Sequence, residues 1–155
     1  NSSMTIALGH DRRTLGHPLD GFGFLIPKVE RRKLVACTWV GTKFNHRVPP
    51  DQAVLRCFLG GAHIDEPDEA LIAGIREELR DLMGVTAEPA FHTVQRWRKA
   101  MAQYTMGHQG RVRQIRALAA RHAGLALAGN FLEGIGIPDC IRSGQAAVKQ
   151  LERAG

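Results

Sequence analysis

The stretch Leu125–Gly144, LALAGNFLEGIGIPDCIRSG, concentrates the residue types that could hold a flat, electron-accepting ligand. Its apolar opening, Leu125 to Ala128, reads as a short strand that ends at Gly129. Gly134 and Gly136 leave the following loop, Phe131 to Ile137, bare enough for an extended ligand to lie against the backbone. Pro138 and Asp139 then open a helix that runs through Ile141, Ala146, Val148 and Leu151. The first amides of a helix have no partner within it and carry the positive end of its dipole. That end suits a ring that becomes anionic on reduction, in the manner of an oxyanion hole. The same strand–glycine–helix joint also occurs in α/β proteins without any ligand, and both readings stand at this level.

Other chemistries find less support. The three cysteines, Cys37, Cys57 and Cys140, are odd in number and far apart, and they read as reduced thiols in a reducing compartment. Neither they nor the seven histidines fall at metal-ligand spacing, so no metal site is expected. Between Gly60 and Val85, a Gly-Gly, an acidic cluster, Arg76-Glu77-Glu78-Leu79 and Gly84-Val85 resemble the metal-binding box of nucleoside-diphosphate-linked hydrolases. That box needs paired glutamates on one helical turn. Here Arg80 and Asp81 or their neighbours stand at those positions and the spacing to Gly84 is wrong. A solvated helix face with pairs such as Glu77 and Arg80 is the better reading.

The elements that must position these residues follow from periodicity. Thr5–Leu8, the glycine-interrupted Gly21–Pro27, Leu34–Val40 and Ala53–Leu59 read as strands, spaced for an antiparallel meander. Glycines inside the second mark a bulge or a close approach of another backbone or ligand. Asp65, Glu66, Pro67 and Asp68 start a helix over 67–83. Its apolar residues Leu71, Ile72, Ile75, Leu79, Leu82 and Met83 recur at helical spacing until Gly84. Phe91 to Met101 favours strand. His108 to Ala123 reads as a helix with Val112, Ile115, Leu118 and Ala119 as its buried stripe.

The chain has 155 residues, 44% hydrophobic and 23% charged, with a formal charge of +6. These values exclude disorder, collagen-like repeats and a disulfide scaffold, and no run is long enough to span a membrane. Asn1-Ser2-Ser3-Met4 lacks the basic and apolar regions of a secretory signal. Between Pro89 and Leu132 the basic residues Arg96, Arg98, Lys99, Arg111, Arg113, Arg116 and Arg121 meet no acidic one. Such a stretch is a solvated face, or it faces nucleic acid, an anionic membrane or a carboxylate-bearing ligand. Between Arg96 and Arg121, Trp97 and Tyr104 are the only stacking aromatics and no nucleic-acid-binding motif is visible, so no nucleic-acid partner is expected.

LAGNFLEGIGIPDCIRSG resembles the C-terminal flavin-binding signature of the protoporphyrinogen oxidases, within the wider flavin amine-oxidase group. Three further pieces fall in that family's order. DGFGFLIP (Asp20–Pro27) resembles its Gly-Phe-Gly strand, RCFLGG (Arg56–Gly61) its strand ending in Gly-Gly, and QYTMGH (Gln103–His108) its Pro-Gln-Tyr-x-x-Gly-His turn, with Ala102 where proline is usual. The resemblance runs from about Met4 to Leu151.

The resemblance implies an α+β fold: an antiparallel or mixed sheet of substrate-domain strands with packed helices, followed by a C-terminal strand–loop–helix belonging to the FAD-binding domain. The substrate-domain portion is expected over residues 1–107 and the flavin-contacting portion over 108–155. The implied contacts to FAD come from Asn130, Ile135, Gly136 and Ile137. The implied macrocycle pocket is lined by Phe22, Leu25, Thr38 and Phe58, flat and apolar side chains that suit a tetrapyrrole and would serve equally in a plain core. A basic residue between Pro89 and Leu132 is a candidate for a substrate propionate. No general base stands out, and no catalytic residue is assigned.

This chain departs from the family in one large respect. The family opens with a βαβ unit bearing Gly-x-Gly-x-x-Gly, which holds the pyrophosphate of FAD, and no such motif occurs here. The expectation is therefore a C-terminal fragment of an oxidase that dehydrogenates protoporphyrinogen or coproporphyrinogen in heme biosynthesis. Its N-terminal FAD domain is absent, and the chain alone is inactive and without tight hold on the cofactor. Its partners would be the porphyrinogen, the missing domain of the same polypeptide and, through the apolar surface left bare, other copies of itself. A cytoplasmic location is expected, with a peripheral place at the inner membrane face left open. The alternatives are another flavin amine-oxidase relative, such as a carotenoid desaturase or an amine oxidase, and a basic binding module without catalysis.

Overall fold

The structure, a computed structural model, describes residues 1–154. They form two compact units that part between Met101 and Ala102.

The first unit is built on β1 (Ser3–Asp11), β2 (Gly23–Leu25), β3 (Leu34–Trp39), β4 (Gln52–Gly60) and β5 (Phe91–Trp97), with the single turn α1 (Val40–Lys43) and the long helix α2 (Asp68–Met83). All strand pairs are antiparallel, in the order β2-β3-β4-β1-β5. The expected meander therefore holds only for β2-β3-β4. The N-terminal strand sits between β4 and β5 instead of at the edge. Its side chains explain why: Met4, Ile6 and Leu8 are fully buried, which requires a neighbour on both sides.

Alternation sorts the two faces of the sheet. Met4, Ile6 and Leu8 of β1, Ala53, Leu55, Cys57 and Leu59 of β4, and Leu34, Cys37 and Trp39 of β3 form one core. Helix α2 closes that core with Leu71, Ile75 and Leu79, spaced four residues apart along one stripe. Asp68 and Glu69 in its first turn suit the dipole, and Gly84, with φ 69°, ends it by donating its N–H to the Arg80 carbonyl at 2.9 Å. Cys37 and Cys57 are direct cross-strand partners in the core and are unbonded thiols. Their contact and then burial push the Cys57 thiol well above its usual range.

The glutamates that resemble a hydrolase box have structural partners. Both carboxylate oxygens of Glu78 accept backbone amides, Lys33 at 2.8 Å and Leu34 at 2.9 Å, at the place where β3 bulges. Glu77 pairs along its own helix with Arg80 at 3.5 Å. The two side chains therefore do not converge on one ion.

The second unit holds α3 (His108–Ala119) and α4 (Ile137–Ala154). Helix α3 stops short of the expected Ala123. Of its expected buried stripe only Val112 is buried, while Ile115 and Leu118 are 39% and 55% exposed. Leu125–Ala128, expected as a strand ending at Gly129, is irregular. An apolar run forms a strand only where a neighbour completes its ladder, and here the Gly129 amide turns instead to the Ser143 hydroxyl of α4 at 3.1 Å. Along α4, Ile137, Ile141, Val148 and Leu151 are exposed at spacings of one helical face.

Candidate functional site

In the first unit the candidate surface is the sheet face opposite α2. Cross-strand register aligns Leu25, Ala36, Phe58, Thr5 and Gln95 in one transverse row. Gly23, Thr38, Arg56, Ala7 and Thr93 form the next. Leu25 is 83% exposed, and Thr38, Phe58 and Ala7 are half-buried. Three of the four residues expected to line a macrocycle pocket, Leu25, Thr38 and Phe58, thus share one face. Phe22 precedes the strand. Its carbonyl accepts the Trp39 amide at 3.0 Å while its ring is 66% exposed, beyond the aligned rows.

Glycine placement shapes this face. Gly23 has φ 136°, and a Cβ there would collide with the Cys37 carbonyl. At Gly9 the missing side chain leaves the space that the Phe91 ring occupies on the neighbouring strand. Sequence reasoning missed Phe91, since its partner becomes visible only with the register.

In the second unit the flavin-contacting candidates lie on a loop held from the QYTMGH turn. Gly107, with φ 78°, turns the chain into α3. Arg111 reaches back to the Met106 carbonyl at 3.0 Å and the Thr105 hydroxyl at 2.8 Å. The turn then presents two side chains. Tyr104 donates its hydroxyl to the Asn130 carbonyl at 2.7 Å, and the His108 ring nitrogen bonds the Leu132 carbonyl at 2.9 Å. The two rings stack with centroids 4.3 Å apart. Burial, and next Asp139, raise the Tyr104 pKa above its ordinary value, so the phenol stays a donor at neutral pH. The motif was visible in the sequence, but the positioning roles of Tyr104 and His108 were not. An open cleft of about 790 Å³ lies beside the turn, lined in part by Val112, Arg113, Leu132 and Glu133.

The loop–helix joint answers in part to what a flavin edge needs. The Gly136 amide is taken by the Asp139 carboxylate at 3.2 Å, and Asp139 also pairs with Arg142. A Cβ at Gly134, which has φ 69°, would collide with the Asp139 side chain, and one at Gly136 would crowd its carboxylate oxygen at 3.0 Å. The Ile135 and Ile137 amides have no acceptor among the described residues, and their side chains are 67% and 78% exposed. Two unclaimed donors beside exposed apolar side chains fit one edge of a flat ring with polar atoms along it. They do not make a cradle for a pyrophosphate.

Residues 6–151 match the model of the flavin containing amine oxidoreductases. The chain belongs to this family. Among curated relatives, the coproporphyrinogen III oxidase of Bacillus subtilis is 36% identical over 152 residues, covering 95% of this chain and 32% of that protein. The enzyme of the same name from Staphylococcus aureus is 31% identical, with 95% and 33% covered. Protoporphyrinogen oxidase 2 of Arabidopsis thaliana is 29% identical, with 82% and 26% covered. A crystal structure from Exiguobacterium sp. 255-15, provisionally named protoporphyrinogen oxidase, superposes with a TM-score of 0.85 at 30% identity, over 99% of this chain and 35% of that one. The α+β architecture with its antiparallel sheet is thus that of a family member. The chain spans about a third of the length of the curated relatives it matches. Among the described residues, no helix is long and apolar enough to cross a membrane.

Proposed function

We propose that this chain forms the C-terminal part of an FAD-dependent oxidase that dehydrogenates a porphyrinogen, protoporphyrinogen IX or coproporphyrinogen III, to the porphyrin in heme biosynthesis. One observation carries the reading: register brings Leu25, Thr38 and Phe58 onto a single sheet face that α2 does not cover. A flat macrocycle needs such a surface, apolar and broad, with few hydrogen bonds.

Residues 1–107 would supply this substrate wall, and 108–155 the flavin edge. Asn130, Ile135, Gly136 and Ile137 would meet one side of the flavin. The Ile135 and Ile137 amides are the donors suited to its carbonyl edge, and Asn130 is held in place through its carbonyl by Tyr104. When bound, FAD supplies the acceptor for hydride equivalents leaving the macrocycle, with oxygen as the final oxidant. The chain's own residues orient the macrocycle face and exclude water from it. With no pyrophosphate cradle, the chain alone is expected to hold FAD weakly and to turn over nothing.

Complementation tests the reading. The chain alone, given FAD and a porphyrinogen, is expected to produce porphyrin fluorescence no faster than the uncatalysed reaction. Joined to the remaining two thirds of the Bacillus subtilis relative, it is expected to restore porphyrin formation. A folded, flavin-loaded chimera that produces no porphyrin from either porphyrinogen would overturn the proposal.

A further inference from the structure

Arg56 stands in the centre of the open sheet face. On β4 it lies between Leu55 and Cys57, both fully buried, so alternation sends its side chain to the opposite side. There its cross-strand neighbours are Thr38 and Ala7, and Val54 and Phe58 lie two residues away on the same strand. The rows from Ser3–Gly60–Trp97 to Gly9–Val54–Phe91 contain no other charged residue on this face. The side chain is half-buried and has no hydrogen bond or ion pair among the described residues.

Four of the seven basic residues the sequence nominated have partners of their own. Arg96 bonds the Ile64 carbonyl at 2.9 Å and the Glu66 carbonyl at 2.6 Å, and pairs with Asp68 at 2.6 Å. Arg98 pairs with Asp65 and Arg116 with Glu133, while Arg111 holds the Thr105–Met106 turn. A guanidinium on a neutral, half-dry face has strong reason to take a carboxylate, and its fork accepts one in two parallel hydrogen bonds.

We infer that Arg56 receives a propionate carboxylate of the macrocycle laid on this face. The inference rests on the porphyrinogen reading and adds a polar anchor to it. Leu25 and Phe58 pack against the ring, and Arg56 fixes how the ring is turned within its plane.

Binding of coproporphyrin III and of its tetramethyl ester to the 155-residue chain, followed by the shift of the Soret band in dilute detergent, separates the outcomes. Arg56→Gln is expected to weaken the acid about tenfold, the loss of one charge-assisted contact, and to leave the ester unchanged. Arg56→Lys is expected to fall between, since it keeps the charge without the fork. Arg153→Gln removes the same charge from an exposed position outside the Pro89–Leu132 stretch and is expected to have no effect. Equal weakening by Arg56→Gln and Arg153→Gln, or none by either, overturns the role of Arg56 and leaves the porphyrinogen reading standing. Failure of the unsubstituted chain to bind either acid or ester overturns both.

Discussion

Tyr104 and Asn130, 26 positions apart, are joined by a 2.7 Å hydrogen bond from the phenol to the backbone carbonyl. The bond fixes the start of the loop that leads to Ile135, Gly136 and Ile137. Tyr104→Phe keeps the stacking on His108 and deletes only this donor. It is expected to lower stability by about 1 kcal/mol, a typical net hydrogen-bond value. The telling readout is local: amide exchange should quicken across 129–137 and stay unchanged in the sheet. Uniform exchange throughout would show that the loop is held by other means.

Glu78 is the corresponding tether in the first unit. Its two oxygens take the Lys33 and Leu34 amides at the bulge of β3. Glu78→Ala leaves both donors without that acceptor, for a loss of roughly 2 kcal/mol, and Glu78→Gln, which retains one carbonyl oxygen, should lose less. Urea unfolding of the three proteins checks the ranking. Equal midpoints for Ala and unsubstituted protein would contradict it.

At Gly23 the sequence reading and the structure meet. Glycine within a strand pattern implied a bulge or a close approach, and the residue adopts φ 136° with the Cys37 carbonyl where a Cβ would be. Gly23→Ala is expected to lose roughly 1–3 kcal/mol through strain of that kind. Because β2 is an edge strand, the first sign should be proteolytic cleavage near Gly21–Ile26. Resistance equal to that of the unsubstituted chain would rule the strain out.

Strands and helices that bury one face were legible because periodicity reports burial directly. Helix α2 came out of Leu71, Ile75 and Leu79, and β3 and β4 out of their short apolar runs bounded by turn residues. The central place of β1 was not legible. Strand order depends on which edges meet across the long Arg12–Phe22 connection, and no local signal records that. Leu125–Ala128 looked like a strand because composition cannot show whether a partner exists. The open face was half legible: the family resemblance nominated Leu25, Thr38 and Phe58, but Arg56, in the same motif as Phe58, carried no signal of its own. Its isolation appears once register places every neighbour.

His10 makes the first unit sensitive to acid. It is 3% exposed at the inner end of β1, and neither ring nitrogen has a partner in hydrogen-bond geometry. Burial holds its pKa below the ordinary histidine range. The Glu88 backbone pulls the other way, and the charges of Arg76 and Glu88, themselves paired, oppose each other. A base whose folded pKa is depressed binds more protons unfolded than folded as pH falls below the unfolded value, about 6.5. Its contribution is therefore complete above that pH and declines towards the lower folded pKa. Urea midpoints should fall between about pH 7.5 and about pH 5 by a smaller margin in His10→Phe than in the unsubstituted chain, because the variant lacks this group and any remaining slope belongs to other residues. Identical slopes for the two proteins would show that His10 is protonated within the fold, with its charge satisfied by the Glu88 backbone.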